Sequence, residues 1–344
     1  MENESQSAGG AVFVQTNEEE GNQVLAFRRD PDGQLTGPDP QPTGGRGDGV
    51  PHLASQGSVV LTADQEHLLV TNAGSDDVSV FSVRDGDLAL VATLPSGGRA
   101  PKSVAEHAGL VYVLNAGSAS LAGFRLADGR LERLADSRRD LGGDADPAQV
   151  GFTPDGSSIV VTERGTNSIA VYPVDEHGRL GDAAMVQSSG PTPYGFAFAG
   201  DGTLVVTEAF GAEKGKAAAS SYRLVGTTVE PVSRSVGNGR SEICWAVATA
   251  DGRYAFTTNF ADGAVSCYGI ADDGSIALED PVAGTAVEGE PGLRDEELTR
   301  DGRFLYAIDT GAREIVGWAV AGGRLSPLGS WDGLPRTVAG LAAS

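Results

Sequence analysis

Leu68-Leu-Val-Thr-Asn72, Val111-Tyr-Val-Leu-Asn115, Ile159-Val-Val-Thr-Glu163, Leu204-Val-Val-Thr-Glu208, Ala255-Phe-Thr-Thr-Asn259 and Leu305-Tyr-Ala-Ile-Asp309 are six copies of one pattern, and Val12-Phe-Val-Gln-Thr-Asn17 is a seventh. Each is a β-rich run that ends in a polar anchor, and the anchors follow one another at intervals of 43 to 55 residues. A turn and a second alternating run come next, as in Val78-Ser-Val-Phe81, Ile169-Ala-Val-Tyr172 and Ile315-Val-Gly-Trp318. An apolar segment ending in a Gly turn precedes most copies, as before Thr153-Pro-Asp-Gly156, and a further run follows the next Gly, as from Leu88 to Leu94. Four short strands per unit, at this period and without helical pattern, are the blades of a β-propeller.

The ring is expected to close through its ends. An inner strand, a, is visible before six anchors, at about Ser58, Ser103, Gln149, Gly195, Trp245 and Asp295, and is missing before Val12. Leu334-Pro-Arg-Thr-Val-Ala-Gly-Leu341 is similar to Ala148-Gln-Val-Gly-Phe152, so segment 334–342 should supply strand a of blade 1 and remove an exposed sheet edge. The expectation is an all-β protein: one seven-bladed propeller over residues 11–344, after a disordered tail at 1–10.

Composition agrees with many tight turns, since 49 of the 344 residues are Gly against 21 aromatics. With 40% hydrophobic residues and no long apolar run, the chain has no membrane-spanning helix pattern. A net charge of -22 repels nucleic acid and anionic lipid, so neither is expected as a partner. Met1-Glu-Asn-Glu-Ser-Gln-Ser7 has neither the basic nor the apolar region of a secretory signal, which suggests a cytoplasmic location. A monomer or weak oligomer is expected. Cys244 and Cys267 fall on strands a and c of one blade with strand b between them, too far apart for a disulfide.

Leu68-Leu-Val-Thr-Asn-Ala-Gly74, Val111-Tyr-Val-Leu-Asn-Ala-Gly117, Asp146-Pro-Ala-Gln-Val-Gly-Phe-Thr-Pro-Asp-Gly156 and Asp301-Gly-Arg-Phe-Leu-Tyr306 resemble the blade repeats of the bacterial seven-bladed β-propeller lactonases. That family includes 6-phosphogluconolactonase and carboxymuconate cyclase relatives. The resemblance, from about Val12 to Ala343, implies lactone hydrolysis or the related cycloisomerisation, with a His, a Glu and Arg residues at the channel mouth. The sequence departs from that pattern. Aligned on their turns, the inner strands place Gly57, Lys102, Ala148, Tyr194, Cys244, Arg294 and Arg336 at one position and Ser58, Ser103, Gln149, Gly195, Trp245, Asp295 and Thr337 at the next, with no His in either set. His52, His67, His107 and His177 fall in linkers and turns.

Strand a starts and the turns between strands b and c share one face of a propeller, so site residues should converge there. Arg294, Arg336 and Lys102 are candidate carboxylate binders, because guanidiniums hold carboxylate or phosphate in a forked geometry. Tyr194 and Trp245 are candidate walls, and Arg164 and Gln149 complete the substrate-binding set. Glu163 and Glu208, where other blades carry Asn, are candidates to move a proton. Strand a of blade 7 reads Leu293-Arg-Asp-Glu-Glu-Leu298, which puts Glu296 where blades 4 and 5 have Val150 and Phe196. Glu106, Glu296 and Glu297 should be held ionised if they face Arg294, Arg336 or Lys102, and driven toward the neutral acid if buried without a base; Glu106 and Glu297 join the catalytic candidates.

No organic cofactor is needed for this chemistry, and no metal site is assigned. Calcium is the alternative, through the oxygen-bearing anchors Asn17, Asn72, Asn115, Glu163, Glu208, Asn259 and Asp309, since another group of propeller lactonases holds calcium in its channel. A repeated turn motif explains the Asn residues without it. The loop Gly211-Ala-Glu-Lys-Gly-Lys-Ala-Ala-Ala219 is read as a flap over the mouth or a solvated turn. The functional expectation is a lactonase-like hydrolase or cycloisomerase for a small carboxylate-bearing molecule; the competing one is a non-catalytic module for a small anion or an acidic peptide.

Overall fold

The computed structural model describes residues 9–51, 53–200, 202–287 and 289–344. Its strands form seven antiparallel sheets, and in blades 2 to 7 the chain runs from an inner strand a outward to strand d. The inner strands of blades 2 to 7 are Val59–Leu61, Pro101–His107, Pro147–Phe152, Pro193–Phe198, Ile243–Ala248 and Leu293–Leu298. No described helix is long and apolar enough to cross a membrane.

Burial explains why the anchor motif is the strongest repeat. Strand b is packed on both faces by neighbouring blades, so Leu110–Asn115, Ser158–Glu163 and Phe304–Asp309 are buried along their whole length. A strand buried on both faces reads as a continuous apolar run. The outermost strands lie at the rim and are largely exposed. In blade 1 the outer strand Leu35–Pro42 carries Pro38, Pro40 and Pro42 at alternate positions. Proline has no N–H to offer a further strand, which blocks pairing along that edge.

The chain ends close the ring, with one shift from the expected register. The strand is Ala339–Ala343, pairing Val12 with Ala343, Phe13 with Ala342, Val14 with Leu341 and Gln15 with Ala339. Residues 334–338 form the turn that leads into it, with Leu334 and Val338 buried in the core. A bulge falls at Gly340, whose φ is 73°, and an added Cβ there would lie 2.2 Å from the Ser58 hydroxyl. Arg29 Nε donates to the Ser344 carbonyl at 3.2 Å, and Ser344 Oγ accepts from the Ala11 N–H at 2.8 Å. Blade 1 opens at Gly10, inside the expected tail, whose residues 1–8 lie outside the described ones.

Deleting residues 339–344 should leave Val12 and Val14 at an open edge and cost on the order of 5 kcal/mol from lost ladder bonds and apolar cover. Thermal unfolding checks this: a clear fall in Tm is expected, and an unchanged Tm contradicts closure by this strand.

Candidate functional site

The axis of the ring is filled by the chain itself. Gln56 donates from Nε2 to the Ala246 carbonyl at 2.8 Å and accepts the Ala246 N–H, which joins blade 2 to blade 6 across the centre. The Gln56 N–H reaches the Ala148 carbonyl of blade 4 at 3.3 Å. Ser55 Oγ donates to the Lys102 carbonyl at 2.6 Å, and Trp245 Nε1 donates to the Ser55 carbonyl at 3.0 Å. Arg294 Nη1 donates to the Pro51 carbonyl at 2.8 Å. The open space at this mouth is therefore off the axis.

A cavity of about 410 Å³ lies there between blades 4 and 7, lined by Arg164, Thr192, Tyr194, Ala209, Gly211, Ala212, Glu242, Cys244, Phe260 and Arg294. Tyr194, Cys244 and Arg294 hold one equivalent position at the start of strand a in blades 5, 6 and 7, next to the bulge that interrupts each ladder. Arg164, Ala209 to Ala212 and Phe260 come from the turns after the anchors. The Arg294 guanidinium sits 4.6 Å from the Phe260 ring centroid, and that of Arg164 sits 5.0 Å from the Tyr194 ring centroid. Arg164 Nη2 also pairs with Asp146 Oδ1 at 2.7 Å. Tyr194 stacks at 5.5 Å on Trp245, which is fully buried behind it.

Burial sets the ionisation of this wall. It raises Tyr194 well above its ordinary value and pushes the Cys244 thiol up to about 12, so at neutral pH the one is a hydroxyl donor and the other an inert thiol. It also lowers Arg294, opposed by the neighbouring Asp295 carboxyl, and the guanidinium stays cationic.

Glu242 is the carboxylate of this wall, and the inner-strand alignment passed over it. It stands at the corner before strand a, at φ 55°, and Ala100, Asp146 and Thr192 hold the same left-handed corner in other blades at φ 45°, 41° and 58°.

Several candidates stand elsewhere. Arg336 is exposed in the turn before the closing strand, because the bulge puts Ala339, three residues later, level with Arg294. Lys102 turns to Asp48, with Nζ 3.9 Å from Oδ2. Gln149 bridges blades 4 and 5, accepting the Phe196 N–H at 2.6 Å and donating to the Phe196 carbonyl at 3.1 Å. Glu208 is buried and satisfied: Oε1 accepts from Ser220 Oγ at 2.6 Å and the Gly190 N–H at 2.8 Å, and Oε2 accepts from Ser235 Oγ at 2.7 Å. Glu163 is buried too, with Oε2 accepting from Thr166 Oγ1 at 2.7 Å, and burial raises its pKa. Neither lines the cavity, which corrects the reading of them as its acid and base. Their side chains run outward into the blades.

Asn72, Asn115 and Asn259 do the same work, accepting from Thr43 Oγ1, Ser96 Oγ and Asn238 Nδ2 of the preceding blade at 2.8, 2.6 and 2.8 Å. Asn17 bonds to Asp48. Asn72, Asn115 and Asn259 thus spend their side-chain oxygens on bonds at the seams between blades. Among the described residues, the carboxylate and imidazole group with metal-compatible spacing is Asp64, Glu66 and His67, on a turn of blade 2. His67, His107 and His177 do not line the cavity, and His52 lies outside the described residues.

The acids of blades 3 and 7 are at the other end of strand a. Glu106 accepts the Gly109 and Ala63 N–H groups at 2.7 and 3.2 Å, and Glu297 lines a cavity of about 230 Å³ on the opposite face. Glu296 is buried with neither carboxyl oxygen hydrogen-bonded among the described residues. Asp295 sits in the bulge at φ 32°. Burial drives Glu296 well above the ordinary range and moves Asp295 and Glu297 to about 7.

A family model described as "Lactonase, 7-bladed beta-propeller" matches residues 11–139, 105–209 and 205–335, overlapping as repeats do. The chain belongs to this family. Among solved structures, a putative 6-phosphogluconolactonase from Bacteroides uniformis is 18% identical with a TM-score of 0.73, covering 98% of this chain and 100% of that one. Another from Bacteroides fragilis is 18% identical with a TM-score of 0.70, covering 99% of each. The periplasmic gluconolactonase of Pseudomonas aeruginosa is 17% identical with a TM-score of 0.73, covering 97% and 99%. These likenesses are of fold. No curated protein matches the chain.

The buried acids carry a testable sign. A carboxyl whose pKa is higher folded than unfolded stabilises fully below the unfolded value near 4.5 and loses that contribution as pH rises toward the folded value. Glu296→Gln removes one such group, so its Tm should match wild type near pH 4 and exceed it at pH 8. Thermal melts of both proteins across pH check this, and superimposed curves would show Glu296 to be solvated.

Proposed function

We propose that the protein hydrolyses a small anionic lactone in the cavity between blades 4 and 7. The observation that carries this reading is the meeting of two basic side chains, Arg164 and Arg294, with Glu242 and Tyr194 around one 410 Å³ space. Membership of the lactonase family supports it, and the 6-phosphogluconolactonase and gluconolactonase folds make an aldonolactone the first substrate to try.

The chemistry follows from the wall. Arg164 and Arg294 hold the anionic group of the substrate, and the apolar surfaces of Phe260, Ala209 and Ala212 flank its ring. Glu242 takes a proton from water as the water oxygen adds to the lactone carbonyl carbon, while Tyr194 donates a hydrogen bond to the developing oxyanion. The tetrahedral intermediate collapses by breaking the bond between the carbonyl carbon and the ring oxygen. Glu242 returns its proton to that oxygen, leaving a hydroxy acid. In the alternative cycloisomerisation the substrate's own carboxylate oxygen adds to a conjugated C=C bond, whose π electrons take a proton from solvent at the adjacent carbon, and product analysis separates the two.

Hydrolysis of glucono-1,5-lactone and its 6-phosphate checks the assignment. Glu242→Gln should lower kcat by about 10²-fold or more with little change in KM. Arg164→Ala should raise KM about tenfold through a lost charge-assisted contact. Arg336→Ala should behave as wild type. Full turnover in Glu242→Gln removes that residue from the mechanism; a ligand that raises Tm but is recovered unchanged from wild type points to a binding module instead.

A further inference from the structure

A groove of about 720 Å³ lies between blades 2 and 3 and shares no residue with the cavity above. Three arginines line it, Arg99, Arg133 and Arg138, and two converge on Gly97. Arg138 Nη1 donates to the Gly97 carbonyl at 3.1 Å. The Arg133 guanidinium lies over the Gly97 backbone, its Cζ 3.7 Å from where a Cβ would stand. Gly97 is needed there: its φ is 83°, and a Cβ would come 2.7 Å from that of Ala122.

The acids of the groove are turned into its wall. Asp76 Oδ1 accepts the Ala100 N–H at 2.6 Å, and Asp77 Oδ1 accepts from Asn72 Nδ2 at 2.6 Å. Burial raises the Asp77 pKa from its ordinary value, opposed by its hydrogen bonds with Ser75 and Asn72. Arg138 pairs with Asp140, whereas Arg99 and Arg133 take part in no ion pair among the described residues. Guanidinium donors without a carboxylate partner thus face an open groove on a chain with 47 acidic and 25 basic residues.

We propose that this groove is a second ligand site, for a small molecule bearing a phosphate group. Guanidinium forks match phosphate oxygens in bidentate geometry, and a groove of this volume admits a ligand of metabolite size. The protein's overall charge of -22 disfavours an extended polyanion, whereas a compact dianion needs only the local field of the groove.

Calorimetric titration of the intact protein with inorganic phosphate and with glycerol 3-phosphate tests the assignment and separates the free ion from an ester. Wild type should bind saturably. Arg99→Ala combined with Arg133→Ala should weaken binding at least tenfold, and Arg133→Lys, which keeps charge but not the fork, should lie between. The titrations are compared in the Arg164→Ala background, which weakens anion binding at the other cavity, so failure here is distinct from failure of the lactonase reading. Absence of saturable binding in that background, or an unchanged titration when Arg99→Ala and Arg133→Ala are added to it, would each overturn the site. Arg133→Glu gives the same test should the double variant fail to fold.

Discussion

The pairing of Ala339–Ala343 with Val12–Gln15 is the constraint on which the rest of the molecule depends. Each blade buries its inner strands against two neighbours, so an open arc of seven leaves two apolar faces in water, and only a closed ring covers both. Leu334, Val338 and Leu341 pack with Val12, Val14, Tyr306 and Ile308 at that seam, which makes the junction of blades 7 and 1 as apolar as the others. Closure also holds blades 4 to 7 at the separation that brings Arg164 and Arg294 to one cavity.

The second constraint is the segment from Leu53 to Gly57, which crosses the axis. Its bonds to Ala148, Ala246, Lys102 and Ser103 satisfy strand starts that the bulges leave without ladder partners. Buried backbone groups need such partners, and here the protein supplies them from its own chain. As a result Trp245 and Gln149 serve the scaffold, and the accessible space moves off the axis, toward Tyr194, Glu242 and Arg294. Arg294 links the two, since it lines the cavity and bonds to Pro51, just before that segment.

The fold was legible because strand b repeats as a fully buried run, a pattern that survives every change of loop. The inner-strand alignment held in blades 3 to 7, and in three of them Pro101, Pro147 and Pro193 mark the start of strand a. It slipped by three residues in blade 1, where the turn at 334–338 imitates a strand start and Arg336 took the place of Ala339. Glu163 and Glu208 were misplaced for a different reason: residue type shows a carboxylate, but its direction follows from which side of strand b the anchor faces. Glu242 was hidden because its role comes from a left-handed corner that no residue-type rule marks in a Ser-Glu-Ile sequence.

A crystal structure with a hydroxy-acid product such as gluconate or its 6-phosphate tests the central claim most directly, because it locates the ligand independently of rate. The account predicts the anionic group between Arg164 and Arg294, with the new carboxylate beside Glu242 and Tyr194. Product bound at the opposite face near Glu297, or in contact with none of these four residues, would contradict it.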